Sequence, residues 1–228
     1  MISDNLAQIR SNITAAAAKA GRDASSIKLV AVSKFVPADR IQEALRCDQT
    51  LFGENYLQEA TEKIPLVGAD AKWHFIGHLQ SNKAKLAAAL FDMVETVDRL
   101  KIAKALDTHA KQLGKTLSIL LQVNIGRELQ KSGVLPEETK DLLLAIRKET
   151  DLPVLGLMTM PPFFDAPEKS RPYFRELRLL ANQLAGQHLF SDNSRVELSM
   201  GMSGDYQVAI EEGATIVRVG TAIFGIRT

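Results

Sequence analysis

The stretch Ile27–Asp39, "IKLVAVSKFVPAD", decides how the chain is read. Ile27 to Ser33 is a short run of branched and small apolar residues broken only by Lys28, which reads as a buried strand. Pro37 suits the first turn of a following helix, and Ile41, Ala44 and Leu45 then fall on one helical side. Between strand and helix stands "SKFVPAD", with no glycine. An open doubly wound sheet usually places a Gly-rich turn just after its first strand. Its absence favours a closed barrel over that runner-up.

The same alternation runs from end to end. After an opening amphipathic helix over residues 3–20 (Leu6, Ile9 and Ile13 in phase, Gly21 as its stop), strand patterns recur in "IKLVAVS", "LFGE", "KWHFIG", "MVETV", "LSILLQVNI", "LPVLGLMTM", "RVELSM" and "TIVRVG". Each is followed by a helical segment. The second of these segments is expected to run through Ala60. Asp98 is expected to cap one ending at Leu113–Gly114, Pro136 to start another, and a long one spans Tyr173 to Ala185. Eight such units in 228 residues predict an α/β fold, a single-domain (β/α)8 TIM barrel over residues 1–228 with an extra N-terminal helix.

Composition narrows the function. Apolar residues make up 46% and charged residues 24%, ordinary for a soluble globular protein. A formal net charge of +1 gives no global field for nucleic acid or an acidic membrane. No apolar run nears the roughly 18 residues of a membrane span, and "MISDNLAQIRSN" lacks the layout of a secretion signal. One cysteine, Cys47, excludes an intrachain disulfide and fits a reducing compartment. A cytoplasmic protein is expected, as a monomer, with a dimer left open because an exposed helical face resembles a dimer face.

In a barrel of this kind, functional groups stand at the C-terminal ends of the strands. Lys34 ends the first, on the face of Val30 and Val32. If that face lines the barrel, burial favours the neutral amine, the nucleophile that forms an imine with an aldehyde or ketone. The alternative is a lysine that snorkels to solvent. After the seventh strand, "LSMGMSGD" offers Ser199, Gly201, Ser203 and Gly204 before a helix. After the eighth, Gly220 and Thr221 begin a short helical segment. Small residues let backbone N–H groups converge on an anion, and a phosphate between these two loops is a recurring barrel feature. The alternative is a pair of ordinary βα turns. Arg218 shares a strand face with Ile216 and Gly220 and needs a partner if buried. Glu197 or Glu54 is the expected structural partner, and a ligand atom the functional one.

An aldehyde-reactive lysine, a phosphate cradle and an inward arginine describe a site for pyridoxal phosphate. With "AVSKFVP", "FGENYLQE", "WHFIGHLQSNK", "VNIGRELQKSG", "GLMTMPP", "LSMGMSGD" and "VRVGTAIFG" in this order, the whole chain resembles the pyridoxal phosphate homeostasis proteins, whose barrel is similar to that of alanine racemase. The resemblance implies pyridoxal 5'-phosphate as cofactor, carried by Lys34 as an internal aldimine. It implies Ser203, Gly204, Gly220 and Thr221 at the phosphate and Arg218 at the pyridine nitrogen. Asn55 looks like a residue beside the lysine, or else a helix cap. Thr159 stands where a cysteine is common in the family, away from the cradle, and no basic tail follows "IFGIR".

A guanidinium only donates, so it favours the unprotonated ring and weakens carbanion stabilisation. Tyr56, Tyr173 and Tyr206 lie in helical segments or their approaches, with no second domain to bring a base over the cofactor. A carrier or regulator in pyridoxal phosphate homeostasis is therefore expected, without turnover, with apo-enzymes that use the cofactor as recipients. A racemase-type enzyme and a cofactor-free Schiff-base aldolase are the rivals. His74 and His78, four apart, straddle a strand exit rather than one helical face, so no metal is expected. His78 follows the third strand and falls near the cofactor. Lys131 reads as a solvated loop lysine or as a guide for the cofactor. The long, proline-rich loop around residues 160–172 could cover the site or dock a partner; the alternative for Phe163 and Phe164 is simple packing under it.

Overall fold

Strand runs that are apolar on both faces need cover on both faces, and closure of the sheet supplies one of them. The computed structural model describes residues 1–225. Its strands are β1 Lys28–Val32, β2 Leu51–Glu54, β3 Lys72–Phe75, β4 Met93–Val97, β5 Ser118–Gln122, β6 Val154–Met158, β7 Glu197–Ser199 and β8 Ile216–Val219. They pair in parallel and in sequential order, and β8 returns to β1 with Val30 opposite Arg218, closing the barrel.

The helices are α1 Ile2–Lys19, α2 Ala38–Leu45, α3 Leu57–Val67, α4 Ala84–Leu90, α5 Leu100–Gln112, α6 Thr139–Glu149, α7 Arg171–Gly186, α8 Tyr206–Glu211 and α9 Thr221–Phe224. α1 is the extra N-terminal helix; it lies against α8, α9 and α2. No helix among the described residues is long and apolar enough to cross a membrane.

Side chains alternate along each strand, so two cores form. Val30, Met93, Leu120, Met158 and Ile216 fill the barrel interior. The opposite faces, among them Ala31, Phe52, Trp73 and Leu121, pack under the helices. The reading that Val30, Lys34, Ile216 and Arg218 face inward rests on this parity.

Two helix boundaries differ from the sequence reading. α3 continues past Ala60 to Val67, because Ala60 and Val67 keep its buried face in phase beyond Pro65. It stops at Gly68, whose φ of +105° a side chain would oppose. Asp98 does not cap α5: Arg99 occupies that position, and the Asp98 carboxylate accepts from Arg99 Nη1 at 2.9 Å instead of from a backbone amide.

Candidate functional site

A cavity of about 180 Å³ opens at the C-terminal ends of the strands. Lys34, Asn55, Ser203, Arg218, Gly220 and Thr221 all line it, and Val32, Ile76, Met160 and Met202 supply apolar walls. Sequence reasoning placed Val32 on the face of Lys34 but did not single out the other three. Each stands on or just beyond a strand end, which is the signal that finds them.

The loops after β7 and β8 meet at Ser203. Its Oγ lies 3.4 Å from the Gly220 amide nitrogen and 3.4 Å from Thr221 Oγ1. A backbone N–H and two hydroxyls thus converge on one wall, the donor set an anion needs. The turn is shaped by Gly201, at φ +93°, where an added Cβ would come within 2.6 Å of Ala209 Cβ. Gly204 does not line the cavity; it is the exposed residue after Ser203.

Asn55 follows β2 directly. The cap reading fails, because Tyr56 occupies the cap of α3 and no side chain bonds the helix end. Instead Asn55 Oδ1 is buried without a hydrogen-bond partner. An orphaned buried acceptor costs free energy, and here it lines the cavity. Gly77 packs against the same residue so closely that a Cβ would sit 2.0 Å from the Asn55 carbonyl oxygen.

Beneath the cavity lies a polar column that the sequence reading missed. Arg218, 3% exposed, donates through Nη1 to Ser199 Oγ at 2.5 Å and through Nη2 to the Thr159 carbonyl at 2.8 Å. Ser199 Oγ in turn donates to Glu95 Oε2 at 2.5 Å, and Glu95 Oε1 is 2.6 Å from His74 Nδ1. Arg218 Nη1 and Glu95 Oε2 are 3.9 Å apart, so Glu95 is the counter-charge. The expected partners are engaged elsewhere: Glu197 with Lys28 and Thr215, Glu54 with Ser33 and Lys63. Thr159 does not line the cavity and meets the site only through the carbonyl that accepts from Arg218. Burial pushes the Glu95 carboxyl up. The hydrogen bond from His74 and the attraction of His74 and Arg218 outweigh it, and the carboxyl titrates below its ordinary value. Burial lowers the Arg218 guanidinium, and Glu95 and Asp205 oppose that shift.

A second cavity, of about 410 Å³, adjoins the first through Asn55, Ile76, Met160 and Met202. His78 belongs to this one: it is exposed, with Nδ1 3.1 Å from Ser132 Oγ. Lys131 lines it too, donating to the Pro161 carbonyl at 2.9 Å and pairing with Glu128 at 2.6 Å. Phe163 is 88% exposed at its edge, so the packing alternative does not hold for it, whereas Phe164 stacks on Tyr173. His74 and His78 serve separate networks, and no group of three or more His, Cys, Asp or Glu side chains suited to a metal occurs among the described residues.

The family model described as alanine racemase, N-terminal domain, matches residues 5–228. The chain is 44% identical over 229 residues to the pyridoxal phosphate homeostasis protein of Pasteurella multocida, covering 99% of this chain and 97% of that one. It is 40% identical over 225 residues to the protein of the same name from Aquifex aeolicus, covering 98% and 97%. Its fold is similar to PipY of Synechococcus elongatus PCC7942, solved with PLP bound: TM-score 0.85, 35% identity, 99% of this chain and 100% of that one. The chain belongs to the alanine racemase N-terminal domain family, among the pyridoxal phosphate homeostasis proteins.

Proposed function

We propose that this chain binds pyridoxal 5'-phosphate covalently through Lys34 and serves its intracellular homeostasis as a carrier or regulator, without turning over a substrate. The observation that carries the reading is that Lys34 and the Ser203–Gly220–Thr221 donors line one cavity, with Arg218 on its floor. The residues fit the group: an anion-suited wall, an inward guanidinium and an orphaned acceptor on Asn55. The names of the relatives and the PLP bound to PipY support the same ligand.

Bound pyridoxal phosphate supplies an aldehyde that an amine converts to an imine with loss of water, and a ring able to accept electrons. The Lys34 amine is the nucleophile for that linkage. Ser203 Oγ, the Gly220 N–H and Thr221 Oγ1 would hold the phosphate. Arg218 donates only, so a pyridine nitrogen held against it would stay unprotonated and the ring would withdraw electrons weakly. None of the three tyrosines lines the cavity: Tyr56 is exposed, Tyr173 stacks on Phe164, and the Tyr206 hydroxyl accepts from Asn12 at 3.1 Å. A racemase-type reaction needs a second base over the cofactor. Apo-enzymes that use the cofactor are the recipients this reading implies.

The absorption spectrum with added pyridoxal phosphate tests the ligand. A yellow imine band, lost on borohydride treatment and absent in Lys34→Ala, is expected. A protein that stays colourless contradicts the reading and leaves a cofactor-free aldolase. Loaded protein should leave a panel of amino acids unchanged, and turnover of any one of them rejects the carrier role in favour of a racemase-type enzyme.

A further inference from the structure

Lys34 sits in a turn that its sequence does not favour. The Val36 N–H donates to the Ser33 carbonyl at 3.0 Å, which makes Lys34 and Phe35 the two central residues. Phe35 has φ +59°. The third position of such a turn normally selects glycine or asparagine, and a bulky aromatic there is strained. A strained residue persists only where its surroundings over-determine it.

The surroundings that do so converge on one largely buried cation. Lys63 of α3, 12% exposed, donates through Nζ to the Ser33 carbonyl at 2.9 Å, to Glu54 Oε1 at 3.2 Å and to Glu59 Oε2 at 2.6 Å. The same Glu59 Oε2 accepts the Phe35 N–H at 2.8 Å. The Ser33 hydroxyl donates to Glu54 Oε1 at 2.7 Å. Both neighbours of Lys34 are therefore tied to α3 through backbone groups, and Lys63 links the ties. Neither Lys63 nor Glu59 lines the cavity.

We propose that Lys63, acting with Glu59, is a positioning residue: it holds the turn in the conformation that points Lys34 into the cavity. The inference rests on the reading of Lys34 as the imine-forming lysine. An ordinary helix–strand ion pair would contribute to stability alone, whereas this clamp also sets the rate at which the amine meets an aldehyde.

The test compares wild type with Lys63→Met, which removes the ammonium and keeps the stem. Growth of the imine band after adding pyridoxal phosphate is expected to slow roughly tenfold, since a small misplacement of a reacting group is costly. Amide hydrogen exchange at Phe35, followed without cofactor, should speed up by about the same factor. Introducing Phe35→Gly into Lys63→Met should recover most of the imine rate, because glycine adopts positive φ without strain. Glu59→Ala, which deletes the acceptor of the Phe35 amide, carries the same two readouts should Lys63→Met fail to fold. A folded variant with wild-type imine growth and unchanged Phe35 exchange overturns the proposal. Wild-type protein that forms no imine at Lys34 contradicts the cofactor reading instead, and the exchange measurement separates that failure from a failure of the clamp.

Discussion

Arg218 and Glu95 face each other where water does not reach, so each depends on the other more than a surface pair would. Removing one partner of a buried pair typically costs about 3–5 kcal/mol, because the remaining charge stays desolvated. Arg218→Ala is therefore expected to lower the urea midpoint strongly and to weaken retention of pyridoxal phosphate. Ser203→Ala should weaken retention too, while stability moves by less than about 1 kcal/mol. Unchanged affinity in both variants means the cradle lies elsewhere. Glu54 gives a pH prediction. Burial pushes its carboxyl up against the opposing pull of Lys63 and Ser33. The folded state thus holds a proton that the unfolded chain has already released. Between the ordinary carboxylate value and the raised one, stability falls as pH rises. Relative to wild type, Glu54→Gln should gain in melting temperature through that window, and a difference that stays flat with pH contradicts the assignment. At this scale, Lys34 and Arg218 were legible because strand parity fixes which way a residue points. Glu95 was as visible in "MVETV" as Arg218 in "TIVRVG". Linking the two needs the barrel register, which brings strands four and eight to face each other across the interior.

The outer ring of helices carries its own electrostatic joint. Glu212, just past α8 and buried, accepts from Arg171, Arg175 and Arg178 of α7. Arg171 also reaches Glu211, and Lys19 at the end of α1 pairs with Glu211 at 2.6 Å. Burial raises the Glu212 carboxyl, but the hydrogen bonds from Arg175 and Arg171 outweigh it and hold it below its ordinary value. Glu212→Ala is expected to cost about 1–3 kcal/mol in chemical denaturation, whereas Arg175→Ala, more than half exposed, should cost under about 1 kcal/mol. Equal losses would mean the joint is not centred on Glu212. Element order was legible throughout, because the apolar period switches cleanly between strands and helices. Ends were less so. The sequence reading took α3 only through Ala60, but burial of Val67 extends it past Pro65, and Asp98 found a side-chain cation in place of a backbone amide. Local capping rules lose where packing or a nearby charge offers more.

At the scale of the whole molecule, closure turns separate strand ends into one site. Lys34 after β1 and Thr221 after β8 lie 187 positions apart in sequence and line the same cavity because β8 pairs with β1. The barrel was legible from eight repeats and a glycine-free first turn. The division of the mouth into two adjoining cavities was not, because it depends on how the long loops after β5 and β6 settle: His78 and Lys131 fall on the second cavity, and Gly204 on neither. The account reduces to one covalent assignment. Borohydride reduction of the loaded protein followed by peptide mapping measures it directly. The reduced pyridoxyl phosphate group is expected on Lys34 and on no other lysine. A map that finds it on Lys63, Lys131 or any residue outside the barrel mouth would contradict the account.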